Sequence, residues 1–437
     1  MKFSSFQLDQ RLPAETDRQG FTDATPIQEQ CIPPIQEGRD VVDQSGTGSG
    51  KTLAFALPML EKIKPGRGVQ ALVLTPTREL CVQVTQVLHD FGKIVGLKTT
   101  SIYGGVSYNP QVEGLRRAEI VVGTPGRILD HLKQRTANFS HVIYLVLDEA
   151  DKMLEMGFIE DVEEIISYIP RERQTVLFSA TIPQEILKIT QKYMRLPLVV
   201  QTQTYVDKSL LHQAYYDVPS KDKFSLLVFL LKQKTAGLAL VFCATRHEAD
   251  IVALNLHKQG VHALAIHGGL SQHKRLHALD SLRNQDIDVL VATDVAARGL
   301  DIKNVSHVYN YDVPKSPDDY IHRIGRTARA GEEGDAVTLL SDRDYDNFRR
   351  VLSDRSLQIE NASLPPFERV QFMRQREDRG ATRRPSYGQR GGYHRDSGRP
   401  ASSPRREFGD RRSAGRASFG ERRPKPSRSY ATKRSKF

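Results

Sequence analysis

Short apolar runs recur along the first 200 residues, with no polar residues alternating inside them: ALVLT (71–75), EIVVG (119–123), VIYLVLD (142–148), TVLFSA (175–180) and LVVQT (198–202). A strand with one wet face alternates; an unbroken run needs both faces buried. Between the runs lie stretches of helical length, such as 78–91 and 159–169. The pattern predicts an α/β domain with a parallel sheet covered on both sides. It restarts after TQTYVDKS with LALVFC (238–243), HALAIH (262–267), DVLVAT (288–293), VSHVYNY (305–311) and DAVTLL (335–340). Two α/β domains are expected, 1–203 and 209–360, joined by a linker at 204–208. The halves share little sequence, so the repeat is one of architecture.

From 361 onward the reading changes. After Pro365-Pro366 the periodicity is gone, and segments such as RRPSYGQRGGYHRDSGRPASSPRR hold almost no aliphatic residues. Such a chain cannot bury enough apolar surface to offset the entropy of ordering, so 361–437 is expected to be a disordered basic tail. The charge follows this division. Of the formal net charge of +11, residues 371–437 carry 17 Arg and 3 Lys against 3 Asp and 3 Glu, a net +14, which leaves −3 on the other 370 residues. The basicity belongs to the tail and not to the folded part.

Three scattered cysteines, Cys31, Cys81 and Cys243, form no C-x-x-C pair, which argues against a disulfide framework or structural zinc and suits a reducing compartment. The N-terminus MKFSSFQLDQ has no apolar signal-peptide core, and no run is long enough to span a bilayer. A soluble cytoplasmic protein with no membrane association is the expectation.

Three segments carry chemistry. In DQSGTGSGKT (43–52) a glycine-rich turn ends in Gly-Lys-Thr and leads into the helix-competent LAFALPML. Consecutive amides of such a turn can cradle phosphates, with Lys51 on the β/γ-phosphates and the Thr52 hydroxyl on Mg²⁺. A tight turn with a coincidental lysine is the alternative, and Ser45 stands where the strict motif has glycine. Second, the strand VIYLVL runs into DEAD (148–151). Asp148 can hold Mg²⁺ through water and Glu149 can orient or deprotonate an attacking water, although an acidic helix cap would read the same way. Third, HRIGRTAR (322–329) places Arg326 and Arg329 on one face of a helical turn, where two guanidinium groups can take up charge on a transferring phosphoryl group. Together these indicate an ATPase or GTPase whose site is completed from the second domain.

The motifs, in this order, resemble the DEAD-box family of ATP-dependent RNA helicases in helicase superfamily 2, over about residues 3–345. GFTDATPIQ (20–28) resembles the family's adenine-reading segment. The resemblance implies Phe21 stacking on the base, Gln28 hydrogen-bonding it, and Phe3 and Thr25 among the ATP contacts. It also implies a phosphate loop of Ser45, Gly46, Thr47, Gly48, Ser49, Gly50, Lys51 and Thr52, with Ser45 in place of the family's usual alanine, and Asp301 on the ribose. SAT (179–181) is similar to the motif coupling hydrolysis to strand separation, so Ser179 and Thr181 are counted with the catalytic set, as is His322, expected to touch the second and third motifs. RNA contacts are implied for Pro76, Thr77, Arg78, Gly104, Gly105, Thr124, Pro125, Gly126 and Arg127 in the first domain, and for Arg246, Gly268, Arg275 and Thr293 in the second. Both domains should be RecA-like, of P-loop NTPase type. Pro13 and the polar AETDRQ fall where the family has an amphipathic helix, which is expected to be shortened or loosely packed.

Small and backbone-exposing residues dominate the first-domain set and suit sugar-phosphate contacts, which carry no sequence information. The resemblance thus implies sequence-independent binding of single-stranded and duplex RNA, with ATP and Mg²⁺ as cofactors. Two rival outputs remain open: an ATP-gated RNA clamp that scarcely unwinds, and a DNA-directed motor. A compact core with one basic tail looks like bacterial members, which suggests ribosomal precursors or RNA-decay complexes as partners. Tail arginines interleaved with Tyr387, Tyr393, Phe408 and Phe419 are expected to anchor RNA.

Overall fold

The unbroken apolar runs become strands buried on both faces. The computed structural model describes residues 1–46, 48–201, 210–234, 237–297, 302, 305–328 and 333–373. The first domain contains β1 (Val41–Gln44), β2 (Ala71–Leu74), β3 (Thr99–Ile102), β4 (Ile120–Gly123), β5 (Tyr144–Leu147), β6 (Gln174–Ser179) and β7 (Leu198–Gln201). All pairings are parallel, in the order β3-β4-β2-β5-β6-β1-β7. Along β2, Ala71 and Val73 join the core under the helices Pro26–Gln36, Lys51–Lys62 and Arg78–Ile94. Leu72 and Leu74 join the core under Pro125–Lys133, Ile159–Ser167 and Gln184–Tyr193. Burial of each Val or Leu side chain contributes about 1.5–3 kcal/mol, so a polar residue on either face would weaken the strand.

The second domain contains β8 (Leu211–Asp217), β9 (Leu238–Phe242), β10 (Ala263–Ile266), β11 (Val289–Ala292), β12 (Val305–Asn310), β13 (Gly334–Leu340) and β14 (Glu360–Asn361). Its parallel order is β10-β11-β9-β12-β13-β8-β14, the order of the first sheet strand for strand. The architectural repeat is therefore complete in topology.

Two expectations need correction. The N-terminal helix forms over Arg11–Arg18 with Leu12, Pro13, Glu15 and Thr16 buried. Pro13 sits in its first turn, where an amide hydrogen has no helical acceptor, so the ring costs no hydrogen bond. The order of the second domain also extends past 360. Asn361 pairs with Tyr215 in β8. Phe367, Val370 and Phe372 pack on the second-domain core. Asn255, fully buried, donates to the Met373 carbonyl and accepts from the Met373 amide, each at 3.0 Å. Three apolar side chains spaced through a polar stretch suffice to hold it as a strap. The linker 204–208 and the basic sequence 374–437 lie outside the described residues.

In both sheets the motifs leave the carboxyl ends of strands, where ligands of open α/β sheets bind. β1 leads into the loop at 45, β2 into Pro76, β3 into Gly104, β4 into Thr124 and β5 into Asp148.

Candidate nucleotide and RNA site

Gly48 and Gly50 hold φ of 83° and 97°, a region in which a side chain is strained, and Gly50 caps the helix Lys51–Lys62. A Cβ on Gly50 would stand 2.5 Å from Gln28 Nε2 and 2.9 Å from Thr25 Oγ1. The adenine-reading segment thus lies directly on the phosphate loop. Thr25 Oγ1 donates to the Ser49 carbonyl at 2.8 Å, and Gln28 Nε2 donates to the Gly50 carbonyl at 3.0 Å. Thr25 and Gln28 also form a capping box at the start of Pro26–Gln36. Gln28, expected to read the base, holds the loop through Nε2, while its Oε1 accepts from the Thr25 amide at 2.8 Å. Phe3 is placed in the core, 2% exposed and against Phe6. Phe21 is half-buried at the edge of that core. Thr47 and Asp301 lie outside the described residues.

Lys51, Asp148 and Glu149 are buried at the head of the loop. Lys51 Nζ and Glu149 Oε2 have no hydrogen-bond partner among the described residues. Burial pushes the Asp148 carboxyl up to about 7, helped by the neighbouring charge of Glu149, and burial raises Glu149 as well. Glu149 holds a left-handed conformation, φ 52°, which costs a non-glycine residue of the order of 1–3 kcal/mol. Two buried carboxylates beside one lysine, with Glu149 Oε2 and Lys51 Nζ left without partners among the described residues, fit a phosphate chain with its divalent cation. Among the described residues no group of three or more acidic, His or Cys side chains could cage a metal. A cation held by Asp148 and Thr52 would take its remaining ligands from phosphate and water, as Mg²⁺ commonly does.

Ser179 and Thr181 act through Asp151. The Asp151 amide donates to Ser179 Oγ at 3.0 Å, Ser179 Oγ donates to the Thr181 carbonyl at 2.6 Å, and the Thr181 amide donates to Asp151 Oδ2 at 3.2 Å. They tie the end of β6 to the DEAD segment.

The second domain meets this site directly. Arg326 is buried, and its charge is the largest that favours ionised Glu149. Lys152 Nζ donates to His322 Nδ1 at 3.1 Å, which sets His322 against the residue following DEAD. Arg329 lies outside the described residues. Arg323, unmarked by the sequence reading, braces the segment. It donates to both Asp294 oxygens at 2.5 and 2.8 Å, to Asn310 Oδ1 at 3.0 Å and to the Asp312 carbonyl at 2.6 Å, and it stacks on Phe242.

The expected RNA residues form matching cradles in the two domains. Thr77 caps Arg78–Ile94 and presents Arg78, whose guanidinium lies over Gly104 and Gly105; a Cβ on Gly105 would come within 2.2 Å of Arg78 Nη1. Thr245 caps Arg246–Lys258 and presents Arg246 against Gly268. Pro76 is buried beneath the first cradle. Thr124, Pro125 and Gly126 form the first turn of Pro125–Lys133, with Arg127 lying over the Tyr108 ring. Thr293 is buried at the end of β11. Between the cradles stands an unforeseen contact. Glu79, fully buried, accepts from Arg275 Nη2 at 2.6 Å and from Gln272 Nε2 at 2.8 Å across 196 and 193 residues of chain. Arg275 Nε is buried and has no hydrogen-bond partner among the described residues.

Residues 25–189 match the DEAD/DEAH box helicase family model, and residues 222–331 match the helicase conserved C-terminal domain. The chain is 45% identical over 370 residues to the ATP-dependent RNA helicase CshA of Listeria monocytogenes, covering 84% of this chain and 71% of that protein. The chain belongs to the DEAD-box ATP-dependent RNA helicases. This helicase is also 43% identical over 369 residues to the DEAD-box helicase CshA of Bacillus subtilis, covering 84% of this chain and 75% of the relative. Its fold matches Saccharomyces cerevisiae Dbp5, solved with RNA and ADP–BeF3, with a TM-score of 0.74 and 30% identity over 83% of this chain and 95% of that one. Both domains of the helicase are RecA-like, and as a DEAD-box enzyme it hydrolyses ATP in response to RNA.

Proposed function

We propose that ATP binds between the domains with its phosphates on Lys51, and that ATP and RNA together hold the domains in the arrangement described. Lys51 pairs with the phosphates. Glu149, its basicity raised by burial, orients the attacking water and accepts its proton. Arg326 neutralises the charge that builds on the transferring phosphoryl group, as Arg329 is expected to do beside it. Mg²⁺ on Asp148 and Thr52 would supply further charge neutralisation. RNA lies across the Arg78 and Arg246 cradles through its sugar-phosphate backbone, so binding is independent of sequence and one strand of a duplex is displaced locally. The observation that supports this reading most is the burial of Arg326 beside Glu149, from separate domains. Cytoplasmic work on ribosomal precursors or in RNA decay fits this chemistry. Lys51→Ala and Glu149→Gln should each abolish RNA-stimulated hydrolysis; near-normal turnover in either contradicts the assignment. An RNA clamp with little unwinding uses the same contacts, and a duplex-unwinding assay separates the two.

A further inference from the structure

Asp43 has no part in the chemistry above, yet it stands beneath the phosphate loop. It shares a face of β1 with Val41, under Pro26–Gln36 and Lys51–Lys62, and is fully buried. Its strand neighbours, Phe178 in β6 and Val200 in β7, are apolar. One carboxylate oxygen accepts from Ser45 Oγ; the other, Oδ1, has no partner among the described residues. Ser45 Oγ is 3.2 Å from Ser49 Oγ, which donates to the Gly46 carbonyl at 3.0 Å. A chain of hydroxyls therefore runs from the buried carboxylate into the loop. A carboxylate buried this way is strongly disfavoured unless paired or neutralised. Ser45 is the residue that departs from the resembling family, and its hydroxyl is the group that Asp43 uses.

We propose that Asp43 is a positioning residue of the nucleotide site: it holds the phosphate loop through Ser45 and Ser49, and it takes up a proton when nucleotide binds. The inference rests on the ATP site assigned above. Lys51 from one covering helix acts on Asp43, and the Cys31 thiol on the other is held neutral by burial, with the Asp43 charge adding to that. Burial pushes the Asp43 carboxyl up to about 6, while Ser45 and Lys51 favour its ionised form. Lys51 also acts on Asp148 and Glu149. Once Lys51 pairs with phosphate, its support for ionised Asp43 is lost, and the proton goes on. The protonated carboxyl donates to Ser45 Oγ, which frees the Ser45 hydrogen for Ser49 Oγ, so the Ser45 hydroxyl reverses direction while Ser49 goes on donating to the Gly46 carbonyl. By linkage, proton and nucleotide each favour the other, and nucleotide affinity falls as pH rises above the Asp43 range.

The test is binding of fluorescent ADP to the full chain from pH 5.5 to 8.5, with proton uptake measured calorimetrically in buffers of different ionisation heat. Asp43→Asn should bind about tenfold more tightly than wild type at pH 8, take up fewer protons, and retain only the pH dependence of ADP itself, since one linked proton changes affinity up to about tenfold per pH unit. Ser45→Ala should shift the wild-type profile to higher pH, because it removes the bond that favours the ionised form. The pair Asp43→Ala with Ser45→Ala should behave as Asp43→Asn and serves if the single variant does not fold. A purely structural Asp43 would change the melting temperature and leave the affinity profile and proton count at wild-type values; that result overturns the proposal. Loss of ADP binding in wild type at every pH overturns the nucleotide site itself.

Discussion

Glu79→Gln isolates the coupling between the domains. The substitution keeps the shape of the side chain but replaces the charge that faces Arg275 Nη2 at 2.6 Å and the acceptor that faces Gln272 Nε2 at 2.8 Å. The Arg275 side chain is 11% exposed and the Glu79 side chain 1%, so solvent cannot stand in for the lost partner. Removing one partner of a buried pair costs about 3–5 kcal/mol. The glutamine amide oxygen can still accept one of the two bonds, so a net loss of about 1.5–3 kcal/mol is expected, or roughly 10- to 100-fold in affinity. The cost falls only on the arrangement in which the domains meet. Anisotropy of labelled single-stranded RNA should therefore show a 10- to 100-fold loss with a non-hydrolysable ATP analogue. Without nucleotide the affinity should be unchanged or slightly higher, because a negative charge has gone from the RNA side. Equal losses in both conditions would make Glu79 a simple RNA-site residue, and no loss in either would remove the contact from the coupling.

Two further predictions follow from other parts of the chain. His131, fully buried and stacked on Tyr108, has its pKa lowered to about 4, first by burial and then by Arg127. The unfolded chain gains this proton near pH 6.5 and the folded one does not, so stability is lost as pH falls from about 6.5 towards 4; denaturant titrations of His131→Phe should show a flatter pH dependence over that range, and an unchanged slope would contradict the assignment. Deleting 374–437 should weaken RNA binding and flatten its salt dependence while sparing RNA-independent ATP hydrolysis; an unchanged salt slope would deny the tail an anchoring role.

Much of this helicase could be read from residues whose surroundings are uniform. Leu72 and Val73 have to be apolar because both faces of β2 are covered, and the motifs announce themselves because phosphate and backbone contacts need fixed residue types at fixed spacing. Four strands went unread. β1 carries Asp43 and Gln44, β3 is Thr-Thr-Ser-Ile at a sheet edge, β8 mixes buried and exposed positions, and β14 has two residues. Short or half-exposed strands lose the continuous apolar signal. The roles of Gln28, Glu79 and Arg323 were hidden for another reason. Each depends on a partner brought close only by folding, such as Arg275 for Glu79, and no local spacing encodes such a pair. Phe3 shows that an aromatic at the spacing of a ligand contact is also a good core residue.

The assignment as an RNA-gated ATPase stands or falls on steady-state ATP hydrolysis by the full chain with RNA and with DNA of the same length and sequence. RNA should raise turnover many-fold and DNA should leave it near the unstimulated rate, with Arg326→Ala abolishing the RNA response at saturating ATP. Equal stimulation by DNA, or an undiminished RNA response in Arg326→Ala, would contradict it.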